Sequence, residues 1–258
     1  MVRSSVDYAT DQITVYRYCR YNCAYCWAWR VPLFRKRIEK GRYDPVEEGK
    51  KYLRIKEKRV IVVSFTSDPY PPITNFAERL LTRRVLEVLC RAKQHRVLIL
   101  TKNPILAVIR DLDLMLTHGD MWLGTTITTL DGKVAEKLEP KAPLPQYRLE
   151  ALKVAHEKGV KTWVSIEPII PYITYPEDII EATKDFVDWY VLGSYNYCSR
   201  IKLPKVNRYI PENGRFTKRE LTVWYNMHVR EAIELLKKHS KPFFIKKELK
   251  KHLKVQGP

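Results

Sequence analysis

Apolar positions along this chain follow two patterns that alternate from residue 12 to residue 194. Short runs rich in Val, Ile and Leu are typical of buried parallel strands, and the longer segments between them have helical spacing. Strands are predicted over residues 13–18, 60–65, 96–101, 121–128, 161–166 and 189–192, and helices over 44–57, 75–94, 104–116, 145–158 and 176–186. This alternation predicts an α/β fold with a parallel sheet, either doubly wound or closed towards a barrel.

The pattern changes after the sixth predicted strand. Residues 198–216 are basic and lack a clear period. A helix is then predicted from Thr217, the N-cap, with Glu220 in the capping-box position. A short apolar stretch, 242–245, and a Lys-rich tail follow. We therefore expect a barrel domain over residues 1–197 and a basic extension of loop and helices over 198–258, packed on the same domain.

The composition is that of a globular protein, with 45% hydrophobic and 29% charged residues among 258. No apolar run approaches the roughly 20 residues that a membrane span needs. The first residues are mixed and polar, unlike a signal peptide. We therefore expect a cytoplasmic protein without a membrane partner. Scarce Asn and Gln beside abundant Lys, Arg and Glu are typical of a thermophilic source.

Positive charge is concentrated in three segments of a chain whose net charge is +18. Segments 35–59, 198–219 and 237–254 carry net charges of +6, +6 and +7. Two explanations stay open at this stage. The charge is either a solvated surface or a face that meets a polyanion.

Three of the five cysteines, Cys19, Cys23 and Cys26, directly follow the first predicted strand. An odd number of cysteines with this clustering does not indicate a disulfide framework. Three thiolates on one loop can bind three irons of a cubane and leave the fourth iron open. Zinc is the alternative, but it would need a fourth ligand with its own spacing. Cys90 lies in a predicted helix, and Cys198 is distant in sequence.

This C-x3-C-x2-C spacing after a strand, with the aromatic Tyr25 before the last Cys, resembles the radical S-adenosylmethionine (SAM) superfamily. The segments 66–70 (TSDPY) and 101–103 (TKN) resemble its spore-photoproduct-lyase-like branch, over roughly residues 13–195. The resemblance implies a 4Fe-4S cluster on Cys19, Cys23 and Cys26, with SAM on the open iron. An electron from an external donor would then cleave SAM to a 5′-deoxyadenosyl radical. We expect an incomplete (β/α)6 parallel barrel with the cluster at the carboxyl ends of the strands.

The resemblance also implies a set of cofactor-binding residues. They are Tyr25, Thr66, Ser67, Asp68, Lys102, Thr126, Ser165 and Glu167. Within this set Lys102 corresponds to a lysine that pairs with the SAM carboxylate, a charge-assisted contact. Thr66 and Ser67 correspond to a polar pair near the SAM amino group. Thr126 corresponds to a ribose contact, and Ser165 and Glu167 to adenine and ribose contacts. From the residues alone, Lys102 could equally be a solvated strand-end lysine, Thr126 a strand residue and Asp68 a turn residue.

Two further residues bear on the reaction. The spore lyase places a thiol hydrogen donor directly before its Thr-Ser-Asp segment, where this chain has Phe65. The lyase's repair activity is therefore not expected here. Cys198, beside Tyr195 and Tyr197, is a candidate catalytic thiol that could relay a hydrogen atom or an electron. The alternative for Cys198 is an incidental buried thiol.

The leading hypothesis is a radical SAM enzyme that modifies a nucleic acid, RNA of tRNA type rather than DNA. It depends on the clustered charge and on aromatic residues within or beside it, namely Tyr195, Tyr197, Tyr209 and Trp224. We expect the three basic segments to meet on one face around the radical site. Phosphate contacts are expected from Lys246, Lys247, Lys250 and Lys251. The alternatives are a radical SAM enzyme for a peptide or small anionic metabolite, and a non-catalytic iron-sulfur module.

Overall fold

The computed structural model describes residues 4, 6–30, 43–64, 66–72 and 80–253. Within them, seven strands form one sheet in chain order, and every neighbouring pair is parallel. The strands are β1 Asp11–Ile13, β2 Val60–Val63, β3 Arg96–Thr101, β4 Met121–Thr126, β5 Thr162–Ile169, β6 Trp189–Ser194 and β7 Phe243–Ile245. The sheet curls into an open half-barrel with helices outside it, which confirms the expected incomplete parallel barrel.

The helices connect successive strands and extend the chain beyond β6. They are α1 Trp27–Arg30, α2 Pro45–Lys51, α3 Leu81–Cys90, α4 Pro104–His118, α5 Gly132–Leu138, α6 Pro145–Glu157, α7 Pro176–Thr183, α8 Lys218–Trp224, α9 Arg230–Lys238 and α10 Lys247–Lys250. A 3-10 turn, Tyr52–Arg54, follows α2, and a π-helical turn, Tyr225–Val229, joins α8 to α9. Among these helices none has the length and apolarity to span a bilayer.

Local signals in the sequence account for several helix ends. The Asp44 side chain accepts hydrogen bonds from the amides of Val46 and Glu47, and so begins α2. Thr217 and Glu220 form the predicted capping box at the start of α8. Helix α5 was not predicted. The predicted helix over 75–94 is α3 in its later part, and residues 75–79 lie outside the described part of the chain.

Inward-facing side chains fill the amino-terminal part of the barrel. Val62, Leu98, Trp163 and Val191 form a buried cluster there. Tyr8 closes it, with its ring centroid 5.7 Å from that of Trp163. Side chains alternate along a strand, so residues two positions after the cluster residues point to the same side of the sheet. They face the space at the carboxyl-terminal side of this cluster. They include Ser64 on the β2 side and Ser165 on β5.

The strand count differs from the prediction. The apolar stretch predicted over 242–245 contains β7, which pairs with β6 through Val191 and Phe244. The expectation of six strands is therefore wrong, and part of the basic extension is a strand of the barrel sheet. A three-residue strand between lysines is too short to show a period. The first strand was predicted over 13–18, whereas β1 is Asp11–Ile13, so the prediction and the strand share only Ile13.

Candidate active site

A cavity of about 150 Å³ lies at the carboxyl ends of the strands. The residues that line it come from the cluster loop and from the ends of β2 to β6: Cys19, Tyr21, Cys23, Tyr25, Cys26, Trp27, Ala28, Ser64, Thr66, Ser67, Asp68, Leu100, Thr101, Lys102, Thr126, Ser165, Glu167, Pro168, Ser194, Tyr195 and Asn196. The three clustered cysteines and all eight predicted cofactor-binding residues are among them. The parallel arrangement gathers these residues because every strand ends at the same edge.

The cysteine loop is anchored to its surroundings by hydrogen bonds. The Tyr21 hydroxyl donates to the Tyr70 carbonyl at 2.5 Å. The Ala24 amide donates to the Leu138 carbonyl at 2.7 Å. Burial raises the pKa of the Cys19 thiol to about 12 and also raises that of Cys23. All three are free cysteines beside one cavity. Three sulfur donors on a short loop fit a cubane cluster with one open iron.

Lys102 lies at the wall of the cavity within a buried charge network. Its Nζ is 3.5 Å from Oε1 of Glu139, whose other carboxylate oxygen pairs with Arg148. The Tyr25 hydroxyl donates to the same Glu139 carboxylate. Burial by itself would raise the pKa of Glu139, but Lys102 and Arg148 together lower it to about 2. The network therefore holds Lys102 as a cation beside the cysteines.

Glu139 and Arg148 were not predicted as site residues from the sequence. Both are 1% exposed at the side chain. Glu139 follows α5, which was not predicted, and Arg148 lies in the first turns of α6. No spacing in the sequence links either residue to the cysteine loop. Only the packing of α6 against β4, and of α5 against α6, brings them to Lys102 and Tyr25.

Asp68 lines the cavity, but its carboxylate is already hydrogen bonded by protein groups. It accepts from the Thr101 hydroxyl at 2.7 Å, the Lys102 amide at 2.7 Å and the Tyr70 amide at 2.9 Å. Burial raises the pKa of Asp68. These contacts join the loop after β2 to the loop after β3. Asp68 therefore holds the backbone of Lys102 in place.

Glu167 forms an ion pair with a residue from the far end of the chain. The Nζ of Lys246, just after β7, lies 2.7 Å and 2.9 Å from its two carboxylate oxygens. Gly193 on β6 leaves room for this pair, since a Cβ there would lie 2.6 Å from Cδ of Glu167. Lys246 is only 12% exposed. The expectation that Lys246 is a surface cation for phosphate is therefore wrong, because the cavity wall holds it.

Cys198 is 6% exposed and packs in the main core with Tyr195 and Ile201. Burial raises the pKa of its thiol. It is not among the residues that line the cavity, although Tyr195 and Asn196 are. Phe65, which occupies the place of the lyase's thiol, lies outside the described residues.

The basic segments are divided between the two edges of the barrel. Lys58 precedes β2 at the amino edge and pairs with Asp120 at 3.3 Å. Lys241 precedes β7 and donates to the carbonyl of Val187 at 3.0 Å. Residues 198–219 follow β6 and residues 246–251 follow β7, at the carboxyl edge. The expectation that all three segments meet on one face is therefore wrong for 56–59 and 237–241. Residues 35–42 and 254 lie outside the described residues.

Comparison with known sequences identifies a family. The model described as Radical SAM superfamily matches residues 13–186. An uncharacterised protein from Methanocaldococcus jannaschii is 31% identical over 230 residues, covering 88% of this chain and 85% of that protein. An uncharacterised protein of Acidianus two-tailed virus is 36% identical over 124 residues, which are 48% of this chain and 39% of the viral protein.

Solved structures show the same fold at low sequence identity. A spore photoproduct lyase superposes with a TM-score of 0.66 at 16% identity, covering 95% of this chain and 78% of the lyase. Streptococcus suis SuiB bound to its precursor peptide SuiA superposes with a TM-score of 0.58 at 16% identity. That match covers 91% of this chain and 48% of SuiB, so the chain spans about half the length of SuiB.

Proposed function

The chain belongs to the radical SAM superfamily, and we propose that its cavity binds the cluster and SAM and directs radical chemistry at a nucleic acid strand. It is a radical SAM enzyme, and the cofactors of the family are a 4Fe-4S cluster and SAM. The observation that carries the proposal is the cavity, in which three thiols, one buried cation and several polar side chains converge.

Cys19, Cys23 and Cys26 are the residues that would hold three irons of the cluster. When bound, the cluster supplies the electron that cleaves SAM to a 5′-deoxyadenosyl radical. Each cysteine is free, and a reducing cytoplasm, where thiols stay unoxidised, suits this chemistry.

Lys102 is suited to bind the SAM carboxylate. A lysine ammonium has three N–H donors, and the Glu139 carboxylate oxygen that pairs with Lys102 is 3.5 Å away. When Lys102 turns towards a ligand, Arg148 still neutralises Glu139. The buried Glu139 carboxylate therefore keeps a cationic partner when Lys102 binds a ligand.

Ser67 also lines the cavity and is suited to bind a ligand there. Its hydroxyl oxygen is buried and has no hydrogen-bond partner among the described residues. A buried hydroxyl without a partner is unfavourable by about 1–3 kcal/mol, and the SAM amino group would satisfy it. Glu167, held by Lys246, presents a carboxylate to the same cavity and suits the hydroxyl groups of a ribose.

A nucleic acid substrate, RNA in particular, is supported by the charge at the carboxyl edge. The segment 198–219, with net charge +6, begins directly after the cavity residues Ser194, Tyr195 and Asn196. Phosphate contacts from this segment would position a strand whose target base enters the cavity. A peptide or small anionic metabolite remains the second candidate, since part of the charge lies at the other edge.

The experiment uses anaerobically reconstituted protein with SAM and dithionite. We expect release of 5′-deoxyadenosine, RNA binding that weakens steeply with salt, and altered nucleosides by mass spectrometry of RNA from cells that contain the gene compared with a deletion strain. Absence of SAM cleavage would overturn the cavity assignment. Cleavage with no RNA binding at low salt, and stimulation by a peptide, would reject the nucleic acid substrate.

A further inference from the structure

Four aromatic residues that follow β5 and β6 pack against one another, and we call them the aromatic platform: Tyr172, Tyr175, Tyr209 and Trp224. The rings of Tyr172 and Tyr209 stack with centroids 5.4 Å apart and planes at 22°. Trp224 packs against Tyr172 at 4.7 Å and against Tyr175 at 5.2 Å. The tyrosines are 38%, 36% and 52% exposed in chain order, whereas Trp224 is 7% exposed.

The platform is held in place by contacts of its own. Tyr172 has a φ of +61°, in the left-handed region that non-glycine residues seldom adopt. Asn207, in the basic segment, donates its side-chain N–H to the Tyr172 carbonyl at 2.9 Å. The indole N–H of Trp224 donates to the carbonyl of Thr174 at 3.2 Å. The exposed rings are therefore preorganised, and ligand binding needs little further ordering.

Positive charge lies beside Tyr209, at one end of the platform, whereas the carboxylates of Glu177 and Asp178 lie near Tyr175 at the other end. The Arg208 guanidinium lies 4.9 Å from the centroid of Tyr209 and donates to its hydroxyl at 2.7 Å. Within the segment 198–219, all of which is described, one cation forms a salt bridge, Lys205 with Glu212 at 2.5 Å. The other cations make no salt bridge to a described carboxylate: Arg200, Lys202, Arg208, Arg215, Lys218 and Arg219.

Flat rings beside cations that have no salt bridge to a described carboxylate match a ligand that combines aromatic bases with phosphates. Bases of single strands stack on exposed aromatic side chains while the backbone binds Lys and Arg. Tyr172 follows the end of β5, the strand that carries Glu167 into the cavity. Building on the proposed nucleic acid substrate, we infer that the aromatic platform and Arg208 bind an unpaired stretch of RNA. One base stacks on Tyr209, the most exposed ring, which Tyr172 supports from the protein side, while a nearby nucleotide enters the cavity.

The test measures fluorescence anisotropy of a labelled single-stranded RNA oligonucleotide with the cluster-loaded protein. Tyr209→Leu should weaken binding about fivefold or more, because a stacking surface is lost. It should leave the slope of log affinity against log salt unchanged, since no phosphate contact is removed. Arg208→Gln should make that slope shallower. Tyr147→Leu, a control 57% exposed on α6, should leave both quantities unchanged.

An abasic oligonucleotide of the same length separates stacking from general disturbance of the surface. Wild type and Tyr209→Leu should bind it equally. If wild type binds RNA and Tyr209→Leu binds RNA as tightly as Tyr147→Leu does, the platform inference is overturned while the nucleic acid substrate stands. If wild type binds no RNA even at low salt but binds an acidic peptide, both proposals fall.

Discussion

At the scale of single residues, the three cysteines of the cluster loop line the cavity, whereas Cys90 and Cys198 do not. Replacing Cys19, Cys23 or Cys26 with Ala should reduce the iron content from about four per chain to near zero, because a cubane does not survive on two protein ligands. Cys90→Ala is the matched control, since Cys90 lies on α3 away from the cavity. Iron analysis and visible absorption provide the measurement. An intact cluster in Cys23→Ala would refute the ligand assignment.

Lys102 offers a second test at this scale. Lys102→Ala should weaken SAM binding by about 1.5–3 kcal/mol, the range for a hydrogen bond to a charged group. Equilibrium dialysis with the cluster-loaded protein measures this. Lys133→Ala, on the exposed face of α5, should have no effect. Equal SAM affinity in the two variants would show that Lys102 serves only its buried partner Glu139.

At the scale of secondary structure elements, α5 and α6 are joined by the buried pair of Glu139 and Arg148. Glu139→Gln should lower the free energy of unfolding by roughly 3–5 kcal/mol, because Arg148 and Lys102 would remain as buried cations without their carboxylate. Glu136→Gln, exposed on α5, should change stability by no more than about 0.5 kcal/mol. Urea denaturation of both variants measures the difference. Similar midpoints would mean that water or another group compensates these cations.

Strand β7 brings Lys246 to the cavity and gives a second test of an element. Lys246→Met should weaken SAM binding by about 1.5 kcal/mol or more, because Glu167 loses the charged partner that orients it. Lys250→Met removes an exposed charge one turn further on and should leave SAM affinity unchanged. Calorimetry on the cluster-loaded proteins distinguishes them. If both variants bind SAM like wild type, Glu167 does not depend on β7.

At the scale of the whole molecule, charge at the two edges of the barrel should have different consequences. Changing Lys202, Arg208 and Arg215 to Gln removes three cations from the carboxyl edge and should reduce the salt slope of RNA binding by up to about 2–3. Changing Lys56, Lys93 and Lys158 removes the same charge from loops that precede strands at the amino edge, and should leave the slope unchanged. If the two triple variants have equal salt slopes of RNA binding, the proposal that RNA binds at the carboxyl edge is contradicted.

Features that depend on neighbours along the chain were predictable from the amino-acid sequence. The alternation of strands and helices, the cap at Thr217 and the three-thiol loop were all predicted, because each needs only residues a few positions apart. The position of the cofactor pocket could also be predicted, since parallel strands present their carboxyl ends at one edge. Lys102, Ser165 and Glu167 line one cavity for that reason.

The tertiary structure alone decided which distant residues meet. Lys246 reaches Glu167 only because β7 pairs beside β6. Glu139 reaches Lys102 only because α6 packs against β4 and α5 against α6. The basic segments are divided because a residue before a parallel strand lies at one edge and a residue after it lies at the other. Sequence distance carries no information about these contacts, since pairing of strands and packing of helices set them.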